Sequence, residues 1–105
     1  MATNSDIPNA SIDASAEVDG SVLLSLKGSL QATTIHVLWK EALEKISGLP
    51  PKQGIVLDAS QVTYCDGAGI GMIVDIEESQ KKRGGAFRIE GLDNRFQRLL
   101  EQFSD

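Results

Sequence analysis

Apolar residues recur along this chain with two periods, and the switches between them mark its elements. From 11 to 18, Ile12, Ala14, Ala16 and Val18 alternate with polar residues, the period-two pattern of a half-buried strand. Asp19-Gly20 is a strong hairpin signal. Val22, Leu24 and Leu26 then share one face of a returning strand over 21–27, which Gly28-Ser29-Leu30 should break. The period changes to helical at Ile35, Leu38, Trp39, Ala42, Leu43 and Ile46, with Thr33 or Thr34 as N-cap and Ser47-Gly48 and Pro50-Pro51 as the stop. Residues 54–58 hold three consecutive apolar residues, which suits a parallel strand buried on both faces. A separate short run, Val62-Thr63-Tyr64, leads into a turn with glycines at 67, 69 and 71. A helix is expected from about 68 to 83, ending at Gly84-Gly85. A strand over 86–90 should point Phe87 and Ile89 inward, and Asp93 should cap a last helix with the stripe Phe96, Leu99, Leu100 and Phe103.

The order is β-β-α-β-α-β-α, an α/β domain with a four-stranded mixed sheet and three helices largely on one side. Residues 1–10 are small, polar and without period, and are expected to form a loose tail before a single domain over 11–105. The chain of 105 residues is long enough to bury a usable core. Its net charge of −5 argues against nucleic-acid binding, which needs a basic stripe. No apolar run approaches the ~18 residues of a membrane span, no signal peptide is visible, and Cys65 has no second cysteine to pair with. A cytoplasmic location is expected, either free or on the cytoplasmic side of the inner membrane as part of a membrane protein, with no direct membrane insertion of this domain.

The glycine turn, TYCDGAGIGM over 63–72, is where chemistry could sit. A dinucleotide fingerprint needs G-x-G-x-x-G, whereas Gly67, Gly69 and Gly71 give G-x-G-x-G. A phosphate loop needs a lysine and a hydroxyl after its last glycine, and Met72-Ile73 stand there instead. Asp66 can cap the following helix, and its charge suits the positive end of the helix dipole.

The strand and turn IVLDASQVTYCDGAGIGMIV, the segment GGAFRIEGLD and the helix RFQRLLEQF, in this order, resemble a STAS domain, as do the N-terminal hairpin and GSLQATTIHVLWKEAL. The resemblance covers roughly residues 12–103 and is most specific at Leu57-Asp58 followed by Asp66-x-x-Gly69. It implies the STAS-like (SpoIIAA-like) fold of anti-sigma factor antagonists and of soluble domains attached to transporters. In the antagonists a serine or threonine follows the aspartate and is phosphorylated by a partner kinase, adding charge at the interface. Here Gly67 holds that position and Ala68 the next, so the switch is missing. Free-standing members usually continue past the last helix with another strand and helix. This chain stops at Asp105, which is similar in shape to the N-terminal STAS domain of MlaE-type permeases of ABC lipid transporters.

The expected function is therefore non-enzymatic: the soluble regulatory or assembly domain of an ABC-type lipid transporter permease, contacting transporter ATPase or permease subunits, or alternatively a free-standing anti-sigma factor antagonist binding an anti-sigma factor kinase. The expected partner surface comprises Asp66, Gly67, Ala68, Gly69, Gly71, Met72, Asp75 and Ile76. The competing reading buries the helix after the turn, with Ile70, Ile73 and Val74 on one inward face and Met72 and Ile76 beside it. No cofactor or metal site is expected, since histidine and cysteine do not cluster. Cys65 reads as a small buried residue, His36 as a surface one, and the acids Asp58 and Asp66 lack a neighbouring nucleophile. Lys81-Lys82-Arg83 reads as a solvated helix end favoured by the dipole.

Overall fold

The hairpin forms as the alternating pattern predicts. In the computed structural model, which describes residues 10–17, 19–33 and 35–103, β1 (Ala10–Ala16) pairs antiparallel with β2 (Val22–Leu30). The Gly20 N–H donates to the Glu17 carbonyl and the Glu17 N–H to that of Ser21, closing the loop with Gly20 at φ +90°. Ile12 is buried, whereas Ala14 and Ala16 are exposed on what is an edge strand of the sheet. The expected inward residue Val18, the capping candidate Thr34 and nearly all of the expected tail lie outside the described residues.

Helix α1 (Ile35–Ser47) links β2 to β3, and α2 (Gly67–Lys82) links β3 to β4 (Phe87–Glu90). These crossovers make β2–β3 and β3–β4 parallel, giving a mixed sheet of order β1-β2-β3-β4. The expected break at Gly28 is absent: β2 continues to Leu30, with its register to β3 slipping between Ser25 and Lys27 and again between Gly28 and Ser29. The irregularity absorbs the glycine that a regular strand would not favour. Nor are there two short runs between α1 and α2. A single strand, β3 (Ile55–Cys65), carries the chain from one end of the sheet to the Asp66 turn.

The core lies on one face of the sheet. Leu24 and Leu26 of β2 and Ile55, Leu57 and Ala59 of β3 pack with Leu38, Ala42 and Ile46 of α1 and with Ile70, Met72, Ile73 and Ile76 of α2. Val56 is also buried, but it stands on the opposite face between Leu23 and Arg88 and outside that cluster. The uninterrupted Ile55-Val56-Leu57 run is thus buried on both faces, although helices cover only one. The last helix, α3 (Asn94–Phe103), is capped by Asp93, whose carboxylate accepts the Arg95 N–H. It seats Phe96 edge-on against Tyr64, with ring centroids 6.1 Å apart. Its stripe then fades outward: Leu99 and Leu100 are half-buried and Phe103 is 56% exposed, not inward as expected. No described helix is long and apolar enough to cross a membrane.

Candidate functional site: the Asp66 turn

Strand β3 delivers Asp66 to the start of α2, and the aspartate builds the turn. Its backbone is extended and its Oδ1 accepts the N–H groups of Ala68 and Gly69, at 2.9 and 3.1 Å. Its Oδ2 accepts the Ala32 N–H at 3.1 Å, and its own N–H donates to the Leu30 carbonyl at 3.0 Å. One residue therefore ties three elements together: its backbone N–H holds the end of β2, and its carboxylate holds the approach to α1 and the first turn of α2. The positive end of α2, where an anion would bind, is already filled by this carboxylate. That is why a glycine-rich strand-to-helix turn here needs no phosphate to complete it.

The glycines divide by role. A Cβ on Gly69 would lie 2.7 Å from Cys65 Sγ and from the Leu30 carbonyl oxygen, so α2 can approach the ends of β2 and β3 only with glycine there. Gly71 faces the Trp39 ring, whose Cη2 a Cβ would meet at 3.4 Å. Gly67 is exposed, has no neighbour within 4 Å of a Cβ, and does not have a positive φ. Its position would accept any side chain, so packing does not explain the absence of a hydroxyl.

Of the eight residues expected at the partner surface, the turn brings Asp66, Gly67 and Ala68 to the outside, Gly67 fully and the other two partly. Met72 and Ile76 are 0% exposed and belong to the core. Expecting them at a surface was wrong: α2 lies flat on the sheet between α1 and α3, so its apolar arc is wider than the single stripe assigned to it. Gly69 is buried for the close approach just described. Gly71 is half-buried against Trp39, and Asp75 is half-buried with its Oδ2 accepting the Trp39 Nε1–H at 2.7 Å. The Trp39–Asp75 bond joins α1 to α2, a role that periodicity alone concealed. Ala32 was missed too, because a backbone N–H leaves no trace in residue type. Val37, 64% exposed in the first turn of α1, is an apolar residue at the same end of the domain as Gly67.

Other candidates prove structural. Cys65 is buried and its thiol is pushed up to about 11, by loss of solvent and then by the Asp66 charge, which leaves it inert. Asp58 accepts the Ser60 N–H at 3.0 Å, and this bond, with the Ser60 hydroxyl and the Lys27 charge, holds its carboxyl below the usual range. It sits eight residues from Asp66 along β3, roughly 25 Å at strand rise, so the two acids cannot act together. His36 is exposed on α1. Among the described residues no three His, Cys, Asp or Glu side chains converge as metal ligands.

The family model described as "Mlab, STAS domain" matches residues 14–104. The chain belongs to the STAS domain family. Solved structures agree in fold. An anti-sigma factor antagonist from Mycobacterium paratuberculosis superposes with a TM-score of 0.68 at 19% identity, covering 92% of this chain and 81% of that one. A variant of RsbS from Moorella thermoacetica gives 0.69 at 20% identity over 90% and 78%. The murine anion transporter Slc26a9 gives 0.70 at 15% identity, covering 91% of this STAS chain but only 18% of the transporter. At these identities the likeness is one of fold, shared by regulators and by a transporter domain alike.

Proposed function

We propose that this STAS domain is a non-enzymatic docking module that assembles constitutively with a subunit of an ABC-type lipid transporter, presenting Gly67, Ala68 and the adjoining first turn of α1. The carrying observation is Gly67. It keeps the turn's geometry, stands open to solvent and offers no hydroxyl, although a side chain would fit. A docking surface without a phosphorylation switch suits permanent assembly better than signalling. The Mla designation in the matched family's description, shared with the MlaE-type permeases, supports the transporter setting. The second reading is a free-standing anti-sigma factor antagonist that binds an anti-sigma factor kinase, supported by the fold shared with the mycobacterial antagonist.

Affinity capture from native membranes and cytosol, with the parent and Gly67→Asp, separates them. The transporter reading expects an ABC ATPase or permease subunit with the parent and its loss with the variant, which should fold normally because the position is open. Capture of an anti-sigma kinase instead would favour the second reading.

A further inference from the structure

The far end of α2 carries a feature unrelated to the docking turn. Between the last turns of α1 and α2, an open groove of about 340 Å³ is lined by Leu43, Ile46, Ser47, Ser79, Lys82 and Arg83. That volume is at the low end for small-molecule sites, about 300–1,000 Å³. Its floor is apolar, from Leu43 and the buried Ile46, and its rim is cationic.

The charge is local and runs against the whole. Residues 43–57 and 78–85 hold Lys45, Lys52, Lys81, Lys82 and Arg83, half of the ten basic residues, against the two acids Glu44 and Glu78, a local excess of three positive charges in a chain of net charge −5. Lys45 and Lys81 pair with Glu41 and Glu77 on their own helices. Lys52, Lys82 and Arg83 have no carboxylate partner among the described residues. The Arg83 guanidinium donates through one NH2 to the neutral Leu49 and Pro50 carbonyls, while its buried Nε has no acceptor among the described residues. A buried donor without a partner is uncommon, and it leaves the Arg83 charge uncompensated on that edge of the guanidinium. The N–H groups of Arg83, Gly84 and Gly85 take the Ser79, Gln80 and Lys81 carbonyls, which lessens the opposition of the α2 C-terminus to an anion, and the lysine and arginine charges must outweigh what remains from the ends of α1 and α2.

We propose that this groove binds a single-chain anionic amphiphile, its acyl chain on Leu43 and Ile46 and its carboxylate or phosphate against Lys82 and Arg83. An apolar floor alone would take any hydrophobe, and the two rim cations without a carboxylate partner, Lys82 and Arg83, would alone take any anion. Their juxtaposition selects a molecule carrying both.

The test is calorimetric titration of the full chain with decyl phosphate below its micelle concentration. Saturable one-to-one binding is expected, weakened at least tenfold in Lys82→Glu but unchanged in Lys40→Glu, which alters net charge equally from an exposed site on α1. Decanol and inorganic phosphate, each carrying half of the recognition, should bind far more weakly. Equal weakening by both variants, no effect of Lys82→Glu, or association with phosphatidylglycerol vesicles but not with the monomeric amphiphile would each overturn the proposal. Lys82 is exposed, so its variant should fold, and circular dichroism checks it. The 16 residues of α2 put about 24 Å between this groove and the Asp66 turn, so failure here leaves the docking result standing.

Discussion

At the Asp66 turn two glycines only two residues apart should respond oppositely to the same change. Gly67→Ala meets no neighbour and lowers the entropy of the unfolded chain, so it should stabilise by about 0.4–1 kcal/mol. Gly69→Ala forces a Cβ against Cys65 Sγ and the Leu30 carbonyl and should cost about 1–3 kcal/mol. Urea unfolding of both variants measures the difference, and equal effects would mean that α2 is not seated as described. Cys65 makes a separate prediction in pH. Its folded thiol stands near 11 against an ordinary 9.0, so the unfolded chain loses its proton first. The stability this confers is complete below about pH 9 and is lost as pH rises through the folded value. The stability gap between the parent and Cys65→Ala should therefore narrow from pH 8 to pH 11, and a constant gap would contradict the burial. The sequence showed Asp66 as a cap because residue type and position suffice for that. It could not separate Gly67 from Gly69, since the difference lies in what β2 and β3 bring against each.

Helix α2 carries the larger lesson at the scale of elements. Its apolar residues 70, 72, 73, 74 and 76 fill too wide an arc for one stripe, and the sequence alone left open whether the excess faced solvent or core. Packing between the sheet and two flanking helices decides for the core, so Met72→Asp would place an unpaired carboxylate at a fully buried site. The variant should fail to fold at room temperature, read as loss of cooperative thermal unfolding; a folded variant would return Met72 to the surface. The α1–α2 contact is more specific. Trp39→Phe removes the donor to the half-buried Asp75 carboxylate, a bond in the range of about 1.5–3 kcal/mol for a charged acceptor, and also loses part of the indole's contact with Gly71, so the cost should be at least that large. Asp75→Asn in the same background should then add little, since the two act as one pair. Element order was legible throughout, because helical and strand periods alternate cleanly. The joining of two short runs into β3, and the passage of β2 through Gly28, were not. Both depend on partner strands that tolerate a register slip.

Across the whole molecule, the two ends of α2 are unlike. One end gathers Asp66, Gly67, Ala68 and the first turn of α1 into a small, nearly featureless surface completed by its own carboxylate. The other gathers cations around an apolar groove. Charge counted over the chain predicted neither, because the net of −5 averages them away. The absence of a phosphorylatable side chain at the Asp66 turn supports the proposal of a fixed assembly contact. The most direct test places a photo-crosslinking amino acid in place of Gly67 in living cells, with the exposed Gln97 of α3 as the control position, and identifies the product by mass spectrometry. The account predicts a single adduct from position 67 to an ABC transporter subunit and none from position 97. An adduct to an anti-sigma kinase, or adducts from position 97 alone, would contradict it.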